Sequence, residues 1–220
     1  MLRIAIDGTA SAGKGTIARE VARRLNISYI DTGAMYRAVA LKALQKGISW
    51  EDTEKITFLA RSLDFKFIWQ DAILKILVDG EDISDAIRQE DIGSAASIVS
   101  AVPDVRKALV IVQKEYSQKL SLVMDGRDIG TVVIPDAELK IFVDANLEER
   151  GKRRWKEERS KGLGTSLESV LADLKERDFR DRTRSVSPLI QAEDAELLDT
   201  TSISVEEAVQ QILSWVQETL

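Results

Sequence analysis

The chain of 220 residues contains 31 lysines and arginines, 37 aspartates and glutamates, no histidine and no cysteine, and its formal net charge is −6. Without histidine and cysteine, disulfides, zinc sites with thiolate or imidazole ligands, and Ser-His-Asp hydrolysis are all excluded. The negative net charge argues against a nucleic-acid polymer as partner, since proteins that bind such polymers usually carry a basic face.

Strands and helices alternate along most of the chain. We predict them from apolar runs that turn residues bound, and from apolar side chains at helical spacing. The predicted strands are residues 2–7, 28–31, 65–69, 73–79, 121–125, 139–144 and 196–200. The predicted helices are residues 14–25, 33–47, 52–64, 91–119, 147–161, 166–184 and 204 onward. This alternation indicates an α/β fold in which helices cover both faces of a parallel sheet.

One segment, residues 64–100, departs from that alternation. The runs FKFIW and ILKILVD lie on either side of QDA, which is typical of a β-hairpin. A polar stretch follows before helical sequence returns. We therefore predict a small lobe at 64–100, inserted into a core domain formed by residues 1–63 and 101–220.

The loop after the first predicted strand, GTASAGKGT at 8–16, has the composition of a phosphate cradle. Glycines let backbone N–H groups point at a phosphate, the following helix adds positive potential, and Lys14 supplies a mobile charge. Gly15 stands where such loops usually carry the Ser or Thr that ligates magnesium. We therefore expect no protein ligand to the metal, and Mg²⁺ held by nucleotide phosphates and waters.

The rest of the sequence indicates an enzyme that uses this phosphate, and not a GTP switch. No glycine has an aspartate three places before it, so the D-x-x-G switch segment is absent. Asn26 and Asn146 are each followed by a hydrophobic residue, so the N-K-x-D guanine reader is absent too. A P-loop chain without these features is more typical of a kinase or an ATPase, and a kinase needs a second phosphate site.

The stretch DTGAMYR, residues 31–37, is the first candidate for that second site. Asp31 ends a predicted strand, and ligands of parallel sheets bind where strands end. Tyr36 and Arg37 follow in the first turn of the next helix. The alternative is ordinary helix capping by Thr32, with Tyr36 as a partly buried aromatic.

The stretch DGRDIG, residues 125–130, is the second candidate. Asp125 ends an apolar strand and suits an aspartate near Mg²⁺, although any buried strand that ends in aspartate has this pattern. Arg127 and Asp128 are adjacent opposite charges in a loop that glycines flank. They either bind an anion and a base together or form a surface ion pair.

The stretch ERDFRDRTR, residues 176–184, is rich in arginine for an acidic protein. On a helix, Arg177, Arg180, Asp181 and Arg184 share one face. This pattern favours an anion site, and the alternative is a solvated helix with i,i+4 salt bridges.

A second charged helix, residues 148–159, has the spacing of an arginine lid. Arg150 and Arg154 share a face and Arg153 lies beside it. Gly162 and Gly164 follow in a loop where a hinge could form. Solvated salt bridges are the alternative here as well.

Taken together, these stretches resemble the bacterial cytidylate kinases, a family of nucleoside monophosphate kinases, over essentially the whole chain. The resemblance rests on GKGT, DTGAMYR, SAASIVSAVPDVRKAL (94–109), DGRDIGTVVIPDA and RDFRDRTRSVSPL. Many nucleotide kinases share the first motif, whereas the middle three together are specific to this family. The resemblance implies a P-loop parallel sheet flanked by helices, with a monophosphate-binding lobe at about 64–100 and a short lid at about 150–164. The implied reaction is ATP + (d)CMP giving ADP + (d)CDP.

The resemblance also implies a role for individual residues. The ATP phosphates would contact Gly8, Thr9, Ala10, Ser11, Ala12, Gly13, Lys14, Gly15 and Thr16. The acceptor phosphate would contact Thr32, Tyr36, Arg37 and Arg127, and cytosine would contact Ser97, Arg106 and Asp128. The ribose and phosphates would face Arg177, Asp181 and Arg184. The catalytic residues would be Lys14, Asp31, Arg127, Arg150, Arg153 and Arg154.

The chemistry of the base supports this assignment. Cytosine has an exocyclic amino group for which the Asp128 carboxylate is a natural acceptor, whereas uracil has a carbonyl that a carboxylate repels. Two alternatives remain at this point: a P-loop kinase for another small acceptor, such as AMP or shikimate, and a regulator that binds ATP or GTP without transferring phosphate.

We also expect a cytoplasmic monomer whose partners are ATP and CMP or dCMP, with neither a nucleic-acid polymer nor a membrane among them. The longest apolar stretches are shorter than the roughly 18 residues that span a bilayer, and the N-terminus has no signal-peptide pattern.

Overall fold

The computed structural model describes residues 1–70 and 73–219. Its strands are β1 (Arg3–Gly8), β2 (Ser28–Asp31), β3 (Phe65–Gln70), β4 (Ile73–Val78), β5 (Glu81–Asp82), β6 (Leu122–Asp125), β7 (Leu139–Asp144) and β8 (Glu196–Asp199). Its α-helices are α1 (Lys14–Leu25), α2 (Thr32–Gln45), α3 (Thr53–Ser62), α4 (Glu90–Val99), α5 (Pro103–Ser117), α6 (Leu147–Ser160), α7 (Leu167–Thr183) and α8 (Val205–Thr219). None of the helices in the described ranges is long and apolar enough to cross a membrane.

The main sheet is parallel, with the strand order β2-β6-β1-β7-β8. The side chains of β1 alternate between its two faces, as those of a strand do. Ile4 and Ile6 join the larger apolar cluster, whereas Ala5 joins a second cluster with Met124 and Ile129. Both faces of the sheet are therefore covered, and the prediction of a parallel sheet flanked by helices is confirmed.

The carboxyl ends of the strands meet at one edge of this sheet. Asp31 at the end of β2 is in register with Asp125 at the end of β6, and Gly8 at the end of β1 pairs with Val143 in β7. The chain passes from β6 on one side of β1 to β7 on the other, so the strand order reverses at β1. Proteins with open α/β sheets bind ligands at such a reversal.

The second sheet is antiparallel and consists of β3, β4 and β5, in that order. It contains the predicted hairpin strands, and Phe65 pairs with Val78, although Asp71 and Ala72 of the predicted turn lie outside the described residues. The Lys42 ammonium on α2 lies 2.5 Å from the Glu81 carboxylate on β5. Phe65 and Val78 are buried in the same apolar cluster as side chains of the core helices. The second sheet therefore shares an apolar core with the rest of the chain, and a separate lobe at 64–100 stays a prediction.

Two stretches differ from the predicted elements. The single helix predicted at 91–119 is two helices, α4 and α5. Residues 100–102 are not helical, and Pro103 occupies the first position of α5. The loop after β6 contains a π-helical turn, Ile129–Val133, that was not predicted. Its wide turn is closed by a bond from Ile134 N–H to Ile129 O at 2.8 Å.

The predicted lid at about 150–164 lies within a hairpin of two helices, α6 and α7. A Cβ on Gly151 would lie 2.4 Å from Leu171 Cδ2, so only glycine allows the helices to approach this closely. Trp155 Nε1 donates to Thr165 O at 3.0 Å and ties the turn to α6. The hairpin packs on the glycine-rich loop, where Ala10 is buried against α7.

Candidate active site

The loop between β1 and α1 has a backbone that requires glycine at two positions. Gly8 has φ +144°, and a Cβ there would lie 1.8 Å from Val143 O. Gly13, which precedes α1, has φ +91° and provides no side-chain cap. The amino-terminal N–H groups and the positive end of α1 are therefore available to an anion.

Lys14 lies at the start of α1 with its side chain buried. Its ammonium donates to Thr9 O at 2.6 Å, which keeps it over the loop. Burial lowers the pKa of Lys14 well below its usual value, and the positive charge of Arg127 and of Arg177 lowers it further. An anion bound between these groups would reverse that effect, so the arrangement favours a phosphate.

Asp125 lies beneath this loop at the end of β6. Its carboxylate accepts a hydrogen bond from the Tyr29 hydroxyl at 2.8 Å. Burial, together with the nearby charge of Asp31, raises the pKa of Asp125 to about 7. A Cβ on Gly15 would lie 3.8 Å from Asp125 Oδ2, so the glycine that replaces the usual hydroxyl residue is next to this carboxylate.

Asp31 caps helix α2 and holds Arg37. One carboxylate oxygen accepts from Ala34 N–H at 3.1 Å, and the other accepts from Arg37 Nη2 at 2.6 Å. Burial acts to raise the pKa of Asp31, but Arg37 lowers it below its usual value. The alternative of capping by Thr32 is wrong, because the Thr32 hydroxyl donates to Asp125 O at 2.8 Å instead.

Arg127 and Asp128 do not pair with each other. Arg127 Nε donates to Asp181 Oδ2 on α7 at 2.9 Å, whereas Asp128 binds Arg106 on α5. Their side chains are largely buried, so the alternative of a surface ion pair is wrong. The loop after β6 is instead joined to two helices that are distant in sequence.

Arg177 on α7 has no carboxylate within ion-pair distance among the described residues. Burial and the adjacent charge of Arg127 lower the pKa of Arg177 to about 10. Asp181, one turn further along α7, is already bound to Arg127. Arg177 therefore forms no ion pair in the described ranges, although the charge of Asp181 acts on it, and the alternative of a helix stabilised only by salt bridges does not account for it.

A second cluster surrounds Asp128. Its Oδ2 accepts from Arg106 Nη2 at 2.5 Å, and Arg184 Nη2 lies 3.8 Å from its Oδ1. The Arg106 guanidinium also lies over the Tyr36 ring, 5.3 Å from its centroid. Arg106 Nε and Arg184 Nη2 are buried without a hydrogen-bond acceptor in the described part of the chain. Buried donors without acceptors are rare, so their presence together indicates a ligand site.

Ser97 on α4 contacts α7 directly. Its hydroxyl accepts from Arg180 Nη1 at 2.8 Å. Arg180 was not among the predicted site residues, although the sequence placed it on the same helical face as Arg177. Its helical spacing from Arg177 was therefore the signal that could have placed Arg180 among the site residues.

The three arginines predicted for the lid have different surroundings. Arg150 is buried: Nε donates to Ala145 O at 2.8 Å, Nη1 donates to Ala10 O at 3.1 Å, and Asp178 Oδ2 lies 2.7 Å from Nη1. These contacts suit a residue that positions the loop. Arg153 and Arg154 instead line a cavity of about 430 Å³ beside Gly13.

The family model for cytidylate kinase matches residues 4–218. The chain belongs to the cytidylate kinase family. It is 46% identical over 217 residues to a cytidylate kinase of Pasteurella multocida, covering 99% of this chain and 96% of that one. It is also 48% identical over 213 residues to a cytidylate kinase of Desulfitobacterium hafniense, and the match covers 97% of this chain and 91% of that one. The predicted family and the prediction of a kinase are thereby confirmed.

Solved structures add support for the fold alone. The structure of an uncharacterized protein from Eubacterium ventriosum has a TM-score of 0.57 at 12% identity and covers 99% of both chains. That of a sugar kinase from a Janibacter species has a TM-score of 0.50 at 12% identity, and the match covers 99% of this chain and 95% of that one. At such low identity, these structures show only that the cytidylate kinase family member shares a fold with them.

Sequence patterns did not single out Asp7 in this member of the cytidylate kinase family. Asp7 is the last polar residue before the loop, and its buried carboxylate accepts from Ile129 N–H at 2.8 Å and Gly130 N–H at 2.7 Å. Burial raises the pKa of Asp7 to about 6. Asp7 thus fixes the loop that carries Asp128 relative to β1. The one signal was a carboxylate at the end of an apolar strand.

Proposed function

We propose that this chain transfers the γ-phosphoryl group of ATP to CMP and dCMP, giving ADP and CDP or dCDP. One observation carries the proposal: the glycine-rich loop with Lys14 and the buried pair of Arg106 and Asp128 lie at the same edge of the sheet. Arg127 and Arg177 lie close enough to Lys14 to lower its pKa. A phosphate donor and a nucleotide acceptor would therefore meet over a cationic cluster.

The donor site is proposed at residues 8–16. The first turn of α1 and Lys14 would bind the phosphates of ATP. The cavity of about 430 Å³ beside Gly13 would receive the nucleoside, with Arg153 and Thr200 at its wall. Its position next to the loop supports this assignment, because the phosphates and nucleoside of ATP must be continuous.

The acceptor site is proposed between α2, the loop after β6, and α7. Arg37, Arg127 and Arg177 would bind the phosphate of CMP, since Arg177 forms no ion pair with any carboxylate that the structure describes and guanidinium groups suit phosphate geometry. Thr32 and Tyr36, which lie on α2 like Arg37, would contact the same phosphate. Asp181 and Arg184 would contact the ribose, and the distance of 3.4 Å between Arg184 Nη1 and Asp181 Oδ1 supports placing them in one subsite.

The base site is proposed at Asp128, Arg106 and Ser97. The carboxylate of Asp128 would accept from the amino group of cytosine, and Arg106 holds that carboxylate in place. Uracil would present a carbonyl to the same carboxylate and be rejected by repulsion.

Catalysis then needs alignment and charge neutralisation more than proton transfer, because the acceptor phosphate is already an anion near neutral pH. Lys14, Arg127 and Arg177 would stabilise the charge of the transferred group, while α6 with Arg153 and Arg154 would exclude water. Arg150 and Asp31 would act by positioning the loop and Arg37. Asp125 has oxygen atoms suited to the water shell of Mg²⁺, and the ion carried by ATP supplies further charge neutralisation.

We propose a monomer as the active form. We also propose that the protein acts in the cytoplasm, where its nucleotide substrates occur. Size-exclusion chromatography with light scattering tests the monomer, and cell fractionation tests the location.

The experiment is ADP release from ATP and Mg²⁺ with CMP, dCMP, UMP, AMP, shikimate or no acceptor, with Lys14→Ala protein assayed in parallel to detect contaminating kinases. The proposal expects release that depends on CMP or dCMP, with little from the other acceptors. Release with AMP or shikimate alone would keep a kinase and discard the base site. ATP binding without any transfer would instead favour a regulator.

A further inference from the structure

One hydrogen bond connects β2 to Asp125 at the end of β6. The Tyr29 hydroxyl donates to Asp125 Oδ1 at 2.8 Å. Tyr29 pairs with Val123 in the parallel register of the two strands, and Asp125 follows Val123 on the same face of β6. Tyr29 is 1% exposed and Asp125 is 8% exposed, so water competes little for this bond.

The tyrosine is the donor in this bond. Burial, together with the charge of Asp125, raises the pKa of Tyr29 well above its usual value, so the hydroxyl keeps its hydrogen near neutral pH. An ionised carboxylate only accepts hydrogen bonds, and each of its two oxygens can hold a separate partner. Because Tyr29 holds Oδ1, it fixes the rotation of the carboxylate and with it the direction of Oδ2.

The Tyr29 ring is fixed on more than one side. The Arg19 guanidinium lies 5.8 Å from the centroid of the ring, which is within the range of a cation–π contact. The ring also belongs to the larger apolar cluster, together with Val123 and with Ile17 on α1. The hydroxyl therefore has a fixed position from which to orient Asp125.

The other carboxylate oxygen, Oδ2, lies on the side of the glycine-rich loop. A Cβ on Gly15 would lie 3.8 Å from Asp125 Oδ2 and 3.4 Å from the Tyr29 hydroxyl oxygen. Gly15 stands where such loops usually carry the hydroxyl residue that ligates Mg²⁺. Tyr29 and Asp125 therefore border the position from which that hydroxyl is missing.

The neighbouring carboxylate, Asp31, is already occupied. One of its oxygens accepts from Ala34 N–H and the other accepts from Arg37 Nη2. Mg²⁺ keeps several waters in nucleotide sites, and proteins hold it through one or two carboxylates and the phosphates of the substrate. Because Gly15 offers no hydroxyl and Asp31 holds Arg37, the contact of the protein with that water shell depends on the orientation of Asp125.

We propose that Tyr29 is a positioning residue, which directs Oδ2 of Asp125 toward the glycine-rich loop and thereby sets the Mg²⁺ requirement of nucleotide binding. This inference rests on the ATP-binding part of the proposed function, in which the ion arrives with ATP. Hydrogen-bond partners in the outer shell of a metal orient the groups that hold it, and their loss weakens metal binding without removing any of those groups.

The test is calorimetric binding of the non-hydrolysable ATP analogue AMP-PNP over a range of Mg²⁺ concentrations and in EDTA. Tyr29→Phe keeps the ring and removes the hydroxyl that donates to Asp125. In this variant the Mg²⁺ concentration that gives half of the gain in affinity rises about tenfold, the lower end of the effect of losing an outer-shell partner. The affinity in EDTA stays at the wild-type value, because no group that contacts the nucleotide is changed.

Tyr116→Phe is the matched control. The Tyr116 hydroxyl donates to Phe65 O in β3 at 2.7 Å, so this variant also loses one tyrosine hydrogen bond but leaves Asp125 untouched. Its Mg²⁺ requirement stays at the wild-type value. A double-mutant cycle shows whether Tyr29 acts through Asp125: with Asp125→Asn as background, Tyr29→Phe raises the Mg²⁺ requirement no further.

Turnover with CMP gives a second readout. In Tyr29→Phe, turnover falls at low Mg²⁺ and recovers at excess Mg²⁺, whereas a defect in packing is not rescued by the ion. An unchanged Mg²⁺ requirement in Tyr29→Phe, an equal loss of affinity with Mg²⁺ and in EDTA, or additive effects in the cycle overturns the inference. So does a wild-type protein that binds the analogue equally well with and without Mg²⁺.

The two proposals fail separately in these experiments. Binding of AMP-PNP needs no acceptor, so its dependence on Mg²⁺ tests the role of Tyr29 whatever the acceptor is. A wild-type protein that binds the analogue but does not phosphorylate CMP refutes the proposed reaction alone.

Discussion

Arg106 and Asp128 form a buried ion pair, with 2.5 Å between Nη2 and Oδ2 and with side chains 2% and 7% exposed. The two residues come from α5 and from the loop after β6, so the pair joins helices of one layer to the carboxyl edge of the sheet. A buried pair seldom adds stability compared with apolar residues, whereas loss of one partner leaves an uncompensated charge. Its presence is therefore better explained by ligand recognition than by stability.

Asp128→Asn tests this explanation. The amide keeps the shape of the side chain but loses the charge that attracts the amino group of cytosine and repels the carbonyl of uracil. We expect the preference for CMP over UMP to fall at least about tenfold, which is the scale of one base-specific contact. The measurement is steady-state kcat/KM with both acceptors, with Asp173→Asn as the control because Asp173 is exposed on α7. An unchanged preference would remove Asp128 from base recognition.

Lys14→Ala should lower turnover by at least about 100-fold, the scale for losing one contact that stabilises transition-state charge. The fold should be retained, because burial and nearby arginines already lower the pKa of Lys14 and make its charge costly. Single-turnover kinetics separates this effect from ATP binding. Lys114→Ala on α5 is the control, since Lys114 is exposed. Near-normal turnover in Lys14→Ala would exclude Lys14 from the mechanism.

The elements of the fold follow from local pattern. Apolar strands that alternate with amphipathic helices predict a parallel sheet, and turn residues after each strand place the candidate residues at one edge. Asp31, Lys14 and Asp125 were predicted at this edge, and the structure has them there. Periodicity and strand ends are local signals, which explains this agreement.

The partners of the site residues could not be predicted in the same way. Arg127 and Asp128 are adjacent in sequence, yet one binds α7 and the other binds α5. The buried carboxylate of Asp7 receives N–H groups from a loop more than 120 residues away. Such contacts depend on how helices pack over the sheet edge, and no spacing along the chain encodes them.

Arg177→Met is expected to separate stability from function. The guanidinium has Arg127 beside it and no carboxylate within ion-pair distance in the described ranges, so its removal should not lower the unfolding temperature of the ligand-free protein. The value of kcat/KM for CMP should fall at least about tenfold, because a hydrogen bond to a charged phosphate is lost.

Differential scanning calorimetry and steady-state kinetics measure the two effects, and Arg182→Met is the control for loss of an exposed arginine on α7. A variant that is less stable but kinetically normal would contradict a role in phosphate binding.

Asp7 is expected to make stability depend on pH. Burial raises its pKa from 3.8 in the unfolded chain to about 6 in the folded protein. Between these values the folded state holds a proton that the unfolded state releases, so the free energy of unfolding falls as pH rises. The contribution of the Asp7 proton to the free energy of unfolding amounts to roughly 3 kcal/mol. It is fully present below pH 3.8 and is lost by about pH 6.

Asp7→Asn isolates this contribution from those of the other carboxylates. The amide stabilises the folded protein less than the carboxyl group does, because its NH₂ group faces one of the two backbone N–H groups that donate to Asp7. The amide does not titrate, however, so the stability advantage of the wild-type protein should shrink between pH 4 and pH 6 and stay constant above. Urea unfolding of both proteins at several pH values measures the difference. A difference that is constant across this range would show that the pKa of Asp7 is not raised, and that its two N–H donors at least balance the effect of its burial.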